Sequence, residues 1–189
     1  MNILNLKDLF EIEYGHIFFR LDERIKDRLI KYPSILARLE NTIYFANQIH
    51  YDDVVQKNRA EGYLRATLCE FVSIEELSDI KIFRTKHPLL ILLKLLRNIN
   101  VHIDTHIIDK EIQNVIIFDK EVNTKMTYIK NLDIRQLKKT DFVKKHPKSI
   151  EDFEIVLSWF NENSLKWGIK EIILRAVHIY SEIIISEIK

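Results

Sequence analysis

The stretch His87-Pro88-Leu89-Leu90-Ile91-Leu92-Leu93-Lys94-Leu95-Leu96-Arg97-Asn98-Ile99-Asn100-Val101-His102 decides the fold. Pro88 stands where a helix can begin, because the N–H it lacks belongs to a first turn whose donors have no partner inside the helix. From Leu89 to Ile99 every position except Lys94, Arg97 and Asn98 is Leu or Ile. A helix apolar on nearly every side is the buried centre of a bundle. Lys94 interrupts the run, which is far shorter than the roughly 20 residues a membrane helix needs, so no contact with a membrane is expected.

Working upstream, Ser34 to about Ile80 reads as a long helical stretch broken near His50 to Asp53. Its second part carries Tyr63, Leu64, Thr67, Leu68, Phe71 and Ile74 at three- and four-residue steps, which places them on one core-facing side. Phe18 to Lys31 has helical spacing through Phe19, Leu21, Ile25 and Leu29, and Pro33 ends it. Before that, Phe10 to Tyr14 alternates like a strand. Downstream, Ile107, Ile108, Val115 to Phe118 and Thr124 to Ile129 flank the charged turn Asp119-Lys120-Glu121 as a β-hairpin does. Helical spacing resumes after Pro147, with Ser149 as N-cap, Asp152 three positions on, and Phe153, Val156, Leu157 and Phe160 as the buried stripe. Asn163 or Ser164 is placed to cap a last helix holding Leu165, Ile169, Ile172, Ile173, Ala176, Ile179, Tyr180 and Ile183. The expected fold is mainly α: a bundle of four to six helices forming one domain over 1–189, with a small hairpin inserted at about 103–130.

Composition agrees. With 47% hydrophobic and 30% charged residues but only three Gly and three Pro, most backbone must lie in regular elements, which argues against disorder and against a β-sandwich. The lone Cys69 can form no internal disulfide and points to a reducing, cytoplasmic setting. Met1 to Asp8 lacks the basic start and apolar run of a secretory signal. Gly15, Gly62 and Gly168 are too far apart for a phosphate-cradling loop, which disfavours nucleotide-hydrolysing classes. The charge is unevenly spread. Lys125 to Lys148 holds eight Lys or Arg against Asp133 and Asp141, a local +6 in a chain whose net charge is +1. That asymmetry makes one face basic, with Lys138, Lys139, Lys144 and Lys145 as candidate contacts to an RNA backbone.

The chemistry gathers where the central helix ends. Arg97, Asn98, Asn100 and His102 fall within six residues beside a buried surface, and strong polar groups there need partners. Asn98 and His102, four apart, share a helix face, whereas Arg97 and His102, five apart, differ by about 140°. These residue types suit phosphodiester cleavage without a metal. An imidazole exchanges protons near neutral pH. A guanidinium offers a fixed fork of donors to phosphate oxygens as charge builds in the transition state. Asn98 is placed to orient the histidine or donate to the phosphate.

Arg97-Asn98-x-x-x-His102 at the end of an apolar helix resembles the R-x4–6-H signature of the HEPN superfamily, including the frequent Asn after Arg. The resemblance implies a metal-independent, cofactor-free endoribonuclease of toxin or phage-defence type. It further implies a homodimer in which two motifs face each other across one RNA cleft, attack by the 2′-hydroxyl to leave a 2′,3′-cyclic phosphate, and restraint by a partner such as an antitoxin. In that frame Arg97, Asn98 and His102 are the catalytic set. The plainer role for the motif is ion pairing of Arg97 and His102 with acids such as Glu70 or Glu75, as in a non-catalytic RNA-binding or protein-interaction module. A further rival is a metal-dependent hydrolase using the alternating set His102, Asp104 and His106.

Overall fold

The computed structural model describes residues 3–13, 20–102, 107–117, 120–130 and 132–188, with the side chains of 101, 102, 113, 115–117, 120 and 122 excepted. A 3-10 turn at Leu6–Asp8 leads into irregular backbone through Glu13, so the alternating pattern from Phe10 forms no strand over the described residues. Helix α1 (Glu23–Leu29) is capped by Asp22, whose carboxylate accepts from the Arg24 backbone N–H at 2.7 Å. Pro33, read from sequence as a stop, is also the first residue of α2 (Pro33–Asn47). Helix α3 (Val54–Ser78) starts from Asp53, which accepts from the Gln56 N–H at 2.8 Å, and a short turn, α4 (Ile82–Thr85), leads into α5 (Pro88–His102).

Helix α5 is the hub. Leu89 to Leu93, Leu95, Leu96 and Ile99 are fully buried, and α3 and α8 (Ile150–Glu187) pack against the helix. Each such aliphatic side chain contributes about 1.5–3 kcal/mol when removed from water, so this helix alone carries a large share of the burial that drives folding. Helix α2 lies on α3 and α8, and Phe71 of α3 meets Tyr180 of α8 with ring centroids 5.5 Å apart. The protein is mainly helical with one small sheet. No helix of the described residues is long and apolar enough to cross a membrane.

The expected insertion is a two-stranded antiparallel hairpin, β1 (Ile108–Ile117) with β2 (Lys120–Ile129), in register from Ile108↔Ile129 to Ile117↔Lys120. Strand β2 lies along α8. Two short helices, α6 (Ile134–Leu137) and α7 (Asp141–Lys145), then precede α8. They are too brief to leave a periodic signal, and Asp133 with Gln136 forms a capping box that starts the first.

Three local expectations are corrected. Ser149 precedes α8, but its side chain makes no capping hydrogen bond. No new helix starts at Asn163 or Ser164: the helical run continues and breaks at Gly168, with φ 81° and ψ 153°. The two polar side chains read as caps, and their neighbour Asn161, have other work. Ser164 Oγ accepts the Ile129 N–H at 3.2 Å, the Asn163 amide donates to the Trp159 carbonyl at 2.8 Å, and Asn161 exchanges two bonds with the Leu132 backbone. Leu165 is exposed, ahead of the break that reorients the rest of the helix.

Gly168 is required where it stands. Its backbone conformation is nearly exclusive to glycine, and an added Cβ would lie 3.3 Å from the Thr127 carbonyl oxygen of β2. Gly168→Ala is expected to cost about 1–3 kcal/mol. At about 2–4 °C per kcal/mol for a chain of this size, calorimetry would show a clear fall in Tm, and an unchanged Tm would contradict the assigned backbone.

His87, which precedes α5, is buried and its Nδ1 has no partner among the described residues. Burial holds its imidazole below the usual range, with the nearby Asp8 charge opposing. A depressed folded-state pKa adds stability that is present above the unfolded value and is lost as pH falls through the folded one. Stability is therefore expected to drop as pH falls below about 6.5. His87→Phe should flatten that part of the Tm-against-pH curve, whereas an identical curve in the variant would remove His87 from the account.

Candidate functional site

The end of α5 is organised by what its neighbours have already neutralised. Lys94, one turn before Arg97, is clamped by Glu75 of α3, with Nζ 2.7 Å and 2.6 Å from Oε1 and Oε2. Both side chains are largely buried, and Glu75 Oε1 also accepts the Ile82 N–H at 3.1 Å. Glu70, further back on α3, accepts two bonds from Arg38 Nη1 at 2.8 and 2.9 Å and one from Asn41. The two acids that would have quenched the motif are thus bound to other cations.

Arg97 and Asn98 are both half-buried, and Arg97 Nη1 donates to Asn98 Oδ1 at 3.0 Å. Asn98 therefore holds the guanidinium, and its own Nδ2 remains the group able to donate elsewhere. Among the described residues Arg97 makes no ion pair. Its Nε is buried without a partner among them, as are both amide atoms of Asn100, which is wholly buried. His102 is the last residue of α5; its side chain, and Asp104 and His106 of the rival metal set, lie outside the described residues. Among the described residues no three His, Cys, Asp or Glu side chains are grouped to hold a metal ion.

The basic segment reaches the same helix. Lys138, Lys139, Lys144 and Lys145 are all exposed, the first pair directly after α6, which packs on α5. The second pair ends α7, whose Phe142 stacks on Phe83 with ring centroids 3.9 Å apart and planes 8° apart. Lys94 Nζ in turn sits 4.4 Å from the centre of the Phe83 ring, so a cation and two stacked rings join α5 to the basic segment. Asp141 pairs loosely with Lys144 at 3.5 Å, and Asp133 with Arg135 at 2.6 Å. Lys138, Lys139 and Lys145 have no such acid among the described residues.

Residue spacing identifies Arg97 and Asn98 but gives no separate role to Lys94, Glu75 or Asn100. The signal for Asn100 is present in the sequence: an amide between Ile99 and Val101 in an otherwise aliphatic run is a polar group in a core position. Cys69 is half-buried on α3 and free. No protein-family model, curated protein or solved structure matches this chain.

The Glu75–Lys94 pair is the structural support of this end of α5. Removing one partner of a buried pair leaves the other charge uncompensated, so Glu75→Ala is expected to cost about 3–5 kcal/mol. Urea unfolding measures it. A destabilisation below about 1 kcal/mol, the range of solvated pairs, would mean the pair supports nothing.

Proposed function

We propose that this protein is a metal-independent endoribonuclease working at the end of α5. The observation that carries the reading is that Arg97 sits half-exposed with no carboxylate partner among the described residues, while Glu70 and Glu75 are bound to Arg38 and Lys94. A cation kept out of ion pairs beside a buried helix is available to an anion, and a phosphodiester is the anion that suits both its forked donors and the exposed lysines after α6 and at the end of α7.

In this reading the His102 imidazole removes the proton from a ribose 2′-hydroxyl, whose oxygen then attacks the adjacent phosphorus. The bond from phosphorus to the 5′-oxygen breaks, the departing oxygen takes up a proton from solvent water, and a 2′,3′-cyclic phosphate remains. Arg97 offsets the charge that builds on the non-bridging oxygens, and Asn98 holds the guanidinium in place through the 3.0 Å bond to its Oδ1. Because about 140° of helix separates Arg97 from His102, a second copy facing the first across a two-fold axis supplies the complementary half. Lys138, Lys139, Lys144 and Lys145 bind the RNA backbone. A toxin or phage-defence role, cytoplasmic and held in check by a partner protein, belongs to the same reading.

The test is total RNA incubated with the purified chain in the presence of chelator. Wild type is expected to cleave, His102→Ala to lose activity, and Arg97→Ala to fall by about 10²–10³-fold, the range for removal of a transition-state donor. Lys144→Ala with Lys145→Ala should weaken RNA binding and make the slope of log affinity against log salt shallower by about 0.7 for each phosphate left unneutralised. Cleavage that survives His102→Ala, or that stops with chelator, would reject the assignment; RNA binding with no cleavage by wild type would favour the non-catalytic module.

A further inference from the structure

The two edges of the hairpin meet different surroundings. The Lys130 N–H donates to the Ile107 carbonyl at 2.7 Å, which fixes the alternation of the ladder. Odd-numbered residues of β1 exchange backbone hydrogen bonds with β2, and the N–H and C=O groups of 110, 112, 114 and 116 point away from it. The outward groups of β2 are covered by α8: the Ile129 N–H donates to Ser164 Oγ at 3.2 Å, and Gly168 lies against the Thr127 carbonyl. Strand β1 has no such cover. The sheet is two-stranded among the described residues, so the outer edge of β1 is open, and the Lys110 N–H is taken up by the carboxylate of its own neighbour Asp109 at 2.9 Å.

Proteins ordinarily blunt an open strand edge with Lys, Pro or a bulge. Past Glu111 this edge has none of them. Ile112-Gln113-Asn114-Val115-Ile116-Ile117 is uncharged, lacks Pro and is rich in β-branched residues, and its register with β2 runs without an extra residue. Such a segment has the character of strands that pair with copies of themselves. Ile112 is 64% exposed, and Asn114 is exposed as well. The base of the strand is anchored. The Tyr51 hydroxyl donates to Asp109 at 3.3 Å, Lys110 Nζ donates to the Asp52 carbonyl at 2.8 Å, and Lys125 pairs with the Asp52 carboxylate at 2.6 Å. An edge held in position loses little freedom when a partner strand adds to it.

We infer that the outer edge of β1 pairs antiparallel with the same edge of a second copy of this chain, joining two hairpins into one four-stranded sheet. Outward residues must meet outward residues, which limits the registers. A two-fold axis at Glu111 would oppose two carboxylates, and one at Ile112 or Gln113 would draw in the Lys110 N–H that Asp109 already holds. An axis at Asn114 sets Asn114 opposite Asn114 and Ile112 opposite Ile116 of the second copy. All three outward residues past Lys110 are then used, with about six backbone hydrogen bonds and no charge directly opposite another in that stretch. The two copies of Ile108 lie about 12 residues, or about 40 Å, apart along such a ladder. The contact is thus distinct from a facing of two α5 ends, and it rests on no part of the endoribonuclease reading.

Sedimentation equilibrium of the full chain tests this with Asn114→Lys, Asn114→Glu and Asn114→Pro. Because the N–H of 114 points away from β2, none of the three interrupts the hairpin, and circular dichroism checks that each keeps the wild-type fold. Wild type is expected to associate one step further than Asn114→Lys or Asn114→Glu alone, since each sets like charges opposite each other at the axis. The step is dimer against monomer, or tetramer against dimer where the α5 ends also pair. Asn114→Pro removes one N–H from each copy and is expected to weaken self-association by about tenfold or more. Should it fail to fold, the Lys and Glu variants decide alone. Mixing those two is expected to restore the wild-type mass, because Lys then faces Glu across the axis. A wild type with the same mass as each variant overturns the proposal, including one whose edge takes up an unrelated extended peptide instead. So does a mixture of the Lys and Glu variants that stays at the mass of either alone. RNA cleavage enters none of these measurements, so failure of the enzyme reading leaves them unchanged.

Discussion

The burial of α5 is the constraint on which the rest of the molecule depends. Its eight aliphatic side chains from Leu89 to Ile99 are closed off from solvent, so the helix must be enclosed on every side except the stripe that carries Lys94, Arg97 and Asn98. Helices α3 and α8 pack directly on it, α2 spans those two, and α6 closes on it from the chain beyond the hairpin. The enclosure also sets where polarity can emerge. Among the described side chains of α5, residues 94, 97 and 98 are half-buried, so the first cations and amides of the helix appear beside dry protein, where each hydrogen bond or charge acts at greater strength than in water.

That setting explains the division of labour among the charges. Lys94 is the earlier cation along the helix and is matched by Glu75, which also fastens the backbone N–H of Ile82 and so ties the entry of α4 to the α3–α5 packing. Arg97 lies one turn further out and is matched by no acid among the described residues, only by the neutral amide of Asn98. One cation is paired within the fold and the next has only an amide partner among the described residues, the difference on which the proposed function rests. The stacked rings of Phe83 and Phe142 carry this arrangement outward, because they fix the lysine-rich α7 against the same side of α5 that holds Lys94.

How much of this is legible in the sequence follows from the range of the interactions involved. The long helices announce themselves through apolar spacing, and the hairpin through β-branched runs about a charged turn; both are local patterns. The break in α8 falls later than the sequence suggests because Asn163 and Ser164 are good capping residues taken alone. Only the docking of β2 shows that Ser164 serves a strand N–H and that Gly168 is where the chain must turn. Helices α6 and α7 are hidden by brevity. At the site, Arg97 and Asn98 are visible as polar interruptions of an aliphatic run. The engagement of Glu70 by Arg38 and Glu75 by Lys94 is not, since pairings across separate helices have no signature in residue spacing.

The central claim is that an uncommitted arginine at the end of a buried helix serves phosphodiester chemistry that needs no metal. The ends of the RNA fragments report on it most directly, because 2′-hydroxyl attack and metal-assisted hydrolysis by water break different bonds. Fragments produced in chelator and bearing a 2′,3′-cyclic phosphate and a 5′-hydroxyl are what the account predicts. Fragments with a 3′-hydroxyl and a 5′-phosphate would contradict it.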